Sequence, residues 1–147
     1  MRRVAVAAET QPTTGAENVV WDLSDLYAGI DDPGIEQDMQ RAIARGDRLE
    51  AAYRGKLAAL DPEELLEAIQ EYEGIVEIAH KVGSFAHLIW STDTANAQYG
   101  ALLQKATEWE SRLQQQLVFF ELEWINAPEP FAQAMIAHPV LRRYRHW

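Results

Sequence analysis

Four histidines and no cysteine set the limits of metal and nucleophilic chemistry in this chain. Without a thiol there is no cysteine nucleophile, thiolate zinc or iron–sulfur site, and no disulfide framework, which fits a reducing compartment. His80 and His87 stand seven residues apart. On a helix they share a face but lie two turns from each other, too far to hold one metal without further ligands. The zincin element His-Glu-x-x-His, which sets two histidines beside a glutamate base, does not occur. Glu77-Ile78-Ala79-His80 matches the Glu-x-x-His element of di-iron bundles, but that chemistry needs a second such element, and the chain has one. A structural or surface role for His80 and His87 therefore outweighs ligation. Glu63, Glu64, Glu67, Glu71, Glu73 and Glu77 read first as a solvated helix face whose acidic start suits the helix dipole, with an acidic binding surface as the alternative. Within this run Glu67 and Glu71 repel at one-turn spacing while Glu77 and Lys81 attract, each by a few tenths of a kcal/mol. No glycine-rich phosphate loop, Ser/His/Asp order or basic aromatic groove is present, and no residue is assigned a catalytic, cofactor or metal role.

The chain that must position these groups has 147 residues, 48% hydrophobic, with 13 basic and 23 acidic side chains and a formal charge of −10. That length builds one ordinary domain and excludes a complete multi-domain enzyme. Residues 21–127 hold 8 bases against 20 acids, and this acidity argues against nucleic acid or an anionic membrane as partner. The apolar opening after Arg2-Arg3 is broken by Glu9, too early for a signal peptide, so a cytoplasmic location is expected. Nowhere does the sequence approach the ~20 apolar residues of a membrane span.

Helical periodicity dominates after a leader, residues 1–19, without sustained period. Trp21, Leu23, Leu26 and Tyr27 form a short apolar cluster that should pin the leader to a core. Asp32-Pro33 starts a first helix, with apolar positions from Ile35 through Leu57 weakened by Gly46 and Gly55. Asp61-Pro62-Glu63-Glu64 is a stronger start, with Glu64 placed to close a capping box. From it two stripes run: Leu65, Ile69, Tyr72, Val76, Ala79, Gly83, Ala86, Trp90, and from midway Ile75, Ile78, Val82, Phe85, Ile89. Ser91-Thr92-Asp93-Thr94 breaks the pattern, with Asp93 or Thr94 as the next cap. The period then resumes from Tyr99 through Leu113 and Phe120 to Trp124. Two helices of about 30 residues, each about 45 Å long, should form an antiparallel hairpin. Gly83 and Gly100, nearly equidistant from a turn near Thr92, should then face each other and allow close backbone approach. Asn126-Ala127-Pro128-Glu129-Pro130 ends the long helix. A shorter helix over about 130–137 follows, and residues 140–147 look like the start of another. The predicted fold class is all-α, a long hairpin packed with a preceding helix and shorter C-terminal helices.

Four segments stand out: Trp21-Asp22-Leu23-Ser24-Asp25-Leu26-Tyr27, Tyr53-Arg54-Gly55-Lys56-Leu57, Asp93-Thr94-Ala95-Asn96 and Phe119-Phe120-Glu121-Leu122-Glu123-Trp124. In type, order and spacing, over about residues 20–147, they resemble the amino-terminal region of the oligoendopeptidase F family of zinc metallopeptidases, within the thimet-oligopeptidase-like superfamily. The resemblance implies a cytosolic enzyme that hydrolyses oligopeptides with a zinc-bound water, held by the two histidines of His-Glu-x-x-His and a later glutamate. All those residues lie downstream of the region seen here, so none of their roles passes to His80, His87 or Glu77. The family's amino-terminal helices wall a deep cleft. By resemblance, residues 20–147 are that wall, and their partners are the catalytic domain of the same polypeptide and the peptide substrate.

The resemblance further implies that the end at Trp147 marks a shortened expression product, a proteolytic remnant or a broken reading frame, and that this chain alone is inactive. Apolar surface should then be exposed near Tyr144 and Trp147, and at Phe119 or Trp124, favouring self-association. The aromatic segment 119–124 reads as core first and as an interface second. Two other classes stay open: a stand-alone acidic helical interaction module, and a carboxylate-bridged metal bundle built on Glu77 and His80.

Overall fold

A computed structural model describes residues 22–144, so the expected leader, Trp21 and Trp147 lie outside the described residues. The described residues are all helical in their regular structure: α1 (Pro33–Tyr53), α2 (Pro62–Thr92), α3 (Ala97–Ile125) and α4 (Glu129–Ala137), with 3-10 turns at Leu57–Ala59 and Pro139–Tyr144. The expected opening of another helix after 140 is thus a 3-10 turn as far as Tyr144.

Each start has a local cause. The Asp32 carboxylate accepts from Gly34 N at 2.8 Å and from Ala28 N at 2.8 Å, so one side chain caps α1 and ties the preceding turn to it. At α2 the capping box is complete: Glu64 N donates to Asp61 at 2.8 Å and Asp61 N donates to Glu64 at 3.0 Å. α1 ends at Tyr53, before Leu57, because Gly55 adopts φ 78°, a left-handed conformation that favours glycine. Leu57 is still fully buried, carried inward by the 3-10 turn. The cap of α3 is neither Asp93 nor Thr94 but Asn96, whose Oδ1 accepts from Gln98 N at 3.0 Å. Asp93 instead ends α2 and accepts from Ala95 N.

The three long helices form an up-down-up bundle. Arg45 meets Glu71 and Lys81 meets Asp38, so α1 and α2 are antiparallel. Tyr72 stacks on Phe120 and Gly83 lies near Glu110, so α2 and α3 form the expected antiparallel hairpin. α1 and α3 are consequently parallel, linked by Lys105 to Glu36, Trp109 Nε1 to the Met39 carbonyl and Gln116 to Asp47. Of the two α2 stripes, the second is the deeper: Ile75, Ile78, Val82 and Phe85 are buried, whereas Tyr72, Val76, Gly83 and Trp90 of the first are half-buried. Gly46, expected to weaken α1, is buried where the Gln116 side chain crosses it. Among the described residues no helix is long and apolar enough to cross a membrane.

The facing of Gly83 and Gly100 is not realised. The turn is centred on Asp93–Asn96 rather than Thr92, which moves the register, and Gly83 lies beside the Glu110 carboxylate. A Cβ on Gly83 would meet that carboxylate at 3.5 Å, an ordinary contact, and one on Gly100 would meet nothing within 4 Å. Both are helix-interior positions without a close backbone approach. Gly83→Ala and Gly100→Ala are each expected to stabilise the fold by about 0.5–1 kcal/mol, read as a higher urea midpoint. A loss at either position would show that its backbone is needed after all.

Candidate functional site

At the end of the bundle where α2 begins and α3 finishes, α4 and the last 3-10 turn fold back and frame a half-open cavity of about 720 Å³. Leu65, Ile69, Tyr72, Phe120 and Trp124 supply its bundle side, and Met135, Leu141 and Tyr144 its other wall. Phe131 packs edge-on to Trp124 at 6.5 Å, and the Tyr144 hydroxyl donates to Glu73 at 2.7 Å, which anchors this wall to α2. The Tyr72 ring stacks on Phe120 at 5.0 Å while its hydroxyl donates to Glu121 at 2.7 Å. Burial, then that donated bond, raises the Tyr72 phenol well above its ordinary pKa, so it stays protonated. The lining is suited to burying apolar groups rather than to acid–base or nucleophilic work.

Among the described residues, which exclude Trp147, the exposed apolar surface lies elsewhere than expected. Phe119 and Tyr144 are buried, Phe119 beneath the Arg54 guanidinium at 5.0 Å, and Trp124 is half-buried in the cavity wall. Among the described residues the exposed large apolar side chains are Val118 (43%), Leu122 (51%), Ile125 (75%) and Ile136 (37%). Val118, Leu122 and Ile125 step by four and three along α3, an outward apolar stripe. The segment 119–124 therefore divides its residues: Phe119 and Phe120 face the core, Glu121 and Glu123 bind across to other elements, and Leu122 points out.

Three polar constellations hold the bundle together. Asp38, a buried carboxylate on α1, accepts from the Tyr27 hydroxyl at 2.7 Å, Arg41 at 2.6 Å and Lys81 at 3.1 Å. Burial works to raise its pKa, but the bonds from Tyr27 and Lys81 outweigh it and hold Asp38 below the usual carboxylate value. Burial and the same bond raise the Tyr27 phenol. Lys81 thus serves Asp38, not the anticipated Glu77, and its ammonium also sits 4.1 Å from the Tyr27 ring centre. Arg45 grips Glu71 with two parallel bonds at 2.7 and 2.8 Å, which lower the Glu71 pKa and relieve the repulsion expected from Glu67.

The third constellation joins two of the four recognised segments. The Glu123 carboxylate accepts from the amides of Gly55 at 2.6 Å and Leu57 at 3.3 Å, amides freed by the left-handed turn that ends α1. Glu123→Ala is expected to cost about 1–2 kcal/mol, with Glu123→Gln recovering part of it, as read from urea unfolding. An unchanged midpoint would mean that water replaces the carboxylate at no cost.

Neither Asp38 nor Glu123 stands out in the sequence as a functional side chain, although Asp38 lies three residues after Ile35 and next to Met39 on the inward face of α1. His80 and His87 are exposed on the outer surface of α2 and border a shallow depression with Glu110. Among the described residues no three His, Asp or Glu side chains gather as a metal ion would require, and Glu77 and His80 have no second Glu-x-x-His element to complete a di-iron set. Comparison with known protein families, curated proteins and solved structures yields no match to this chain.

Proposed function

We propose that residues 20–147 are the amino-terminal helical wall of a zinc-dependent oligoendopeptidase that cleaves short peptides in the cytosol, the zinc and every catalytic group lying in a domain outside this chain. The observation that carries this reading is the Glu123 junction. Two of the four segments that resemble the oligoendopeptidase F family, distant in sequence, meet in one structural unit. The other two also have defined local roles, Tyr27 locking the chain to Asp38 and Asp93 with Asn96 shaping the hairpin turn. The apolar cavity beside α4 supports the same reading, since a wall needs a surface on which the rest of the polypeptide can rest.

The purified 147-residue chain is expected to show no zinc-dependent cleavage of a short quenched peptide, and the coding frame past Trp147 is expected to encode His-Glu-x-x-His. Zinc-dependent turnover by the chain itself would overturn its assignment as a non-catalytic wall. A stop codon after Trp147, or a continuation without that element, would overturn the peptidase reading. A stand-alone acidic interaction module is the second reading, favoured by the carboxylates Glu110 and Glu121 that flank the open face of the α2–α3 hairpin.

A further inference from the structure

Two antiparallel helices leave a furrow on each side of their contact; in this bundle α1 fills one, and α4 with the last 3-10 turn covers the lower end of the other. The other is marked by three depressions that share lining residues: Tyr72 and Glu121 belong to the lower and middle ones, His80 and Glu110 to the middle and upper ones. They are therefore stations of one continuous trough. Above the part that α4 covers, from Tyr72 to His87 along α2, it spans 15 residues, about 22 Å at 1.5 Å per residue, the length of a helix of roughly four turns.

The trough has an apolar floor and an acidic border. Val76, Leu117 and Val118 line its middle. Glu110 and Glu121 project from the α3 wall, and no lysine or arginine lines any of the three depressions among the described residues. An occupant must bring apolar side chains for the floor, and positive charge to offset carboxylates that it would otherwise bury with no cation beside them. The walls are helices with their own backbone bonds satisfied, so an added strand would find no edge to pair with. A helix lying along the furrow packs ridges into grooves and completes a four-helix arrangement.

We propose that the α2–α3 furrow opposite α1 is the seat of a basic amphipathic helix supplied by a partner polypeptide. Glu110 and Glu121 are eleven residues apart, three helical turns, so a helix laid alongside α3 meets both with lysine or arginine at matching eleven-residue spacing. The inference goes beyond the peptidase reading and does not rest on it. It is tested by peptide binding, whereas that reading is tested by the coding frame and by turnover.

A displayed library of 15-residue amphipathic helices, with Lys, Glu and Gln varied at the flanking positions, is selected against the full 147-residue chain. Enriched peptides are expected to carry Lys at the flanks. Their affinity should fall at least tenfold on Val118→Asp, an exposed position whose substitution leaves the helical circular dichroism intact. The pair Glu110→Lys with Glu121→Lys should invert the preference toward Glu-flanked peptides. Failure to enrich any peptide, enrichment without charge bias, or affinity indifferent to these substitutions would overturn the proposal.

Discussion

Phe85→Ala should cost the bundle about 3–5 kcal/mol, the range for deleting a buried aromatic ring whose surroundings cannot collapse around the void. Phe85 is 1% exposed and sits mid-helix on the deeper stripe of α2, with the Tyr27 ring edge-on against it at 5.1 Å. Removing it therefore opens a cavity and also loosens the segment before α1, because Tyr27 loses the ring that positions its hydroxyl toward Asp38. Against a typical total stability of about 5–15 kcal/mol, a loss of that size moves the urea midpoint by a third or more. Ile125→Ala, at a side chain 75% exposed, should stay within about 0.5 kcal/mol. Equal effects at the two positions would contradict the assignment of Phe85 to the core.

Asp38→Ala is the second large effect, expected at about 2–3 kcal/mol. Its partners differ in what they lose: Arg41 and Lys81 reach solvent and can be rehydrated, whereas the Tyr27 hydroxyl is left in a buried place without its acceptor. The effect also has a pH signature with a definite sign. The folded pKa of Asp38 is held below its ordinary value, so the stabilisation is complete above the ordinary carboxylate pKa of about 3.9 and fades as pH falls through the lower folded value. Asp38→Asn should therefore fall below the parent protein at neutral pH and approach it in acid. A gap that stays constant down to the acid limit would show that Asp38 acts through packing alone. Tyr27→Phe, which keeps the ring and removes one donor, should cost about 1 kcal/mol.

What was legible in the sequence follows from how local each cause is. The starts at Asp32-Pro33 and Asp61-Pro62-Glu63-Glu64 are readable because cap and capped amide lie within three residues. The long hairpin is readable because its stripes repeat over many turns. The pairing of Gly83 with Gly100 fails for a complementary reason. Register depends on the centre of the turn, which lies beyond Thr92 at Asp93–Asn96, so Gly83 sits beside the Glu110 side chain and not opposite Gly100. Lys81 has an acid one turn away in Glu77, yet it is claimed by Asp38, 43 residues distant, where burial strengthens the bond. Phe119 and Tyr144 show the same limit. Both end a run of alternatives that periodicity leaves open, and the neighbours that cover them, Arg54 over Phe119 and Glu73 at the Tyr144 hydroxyl, come from other elements.

The links between α1 and α3 carry one more consequence. Lys105 to Glu36, Trp109 to Met39, Gln116 to Asp47 and Glu123 to Gly55 span 69, 70, 69 and 68 residues. Parallel helices joined at a constant offset behave like the teeth of a rack: a slide of α1 by one turn disengages every link together, and no partly slipped alignment retains some of them. The α2–α3 hairpin closes over much shorter spans and has no need of α1 to set its alignment, so it is the natural first unit to assemble. Amide exchange should accordingly report α1 as a single block that releases all at once, with the amides of Gly55 and Leu57 exchanging at the same rate as those of its middle turns.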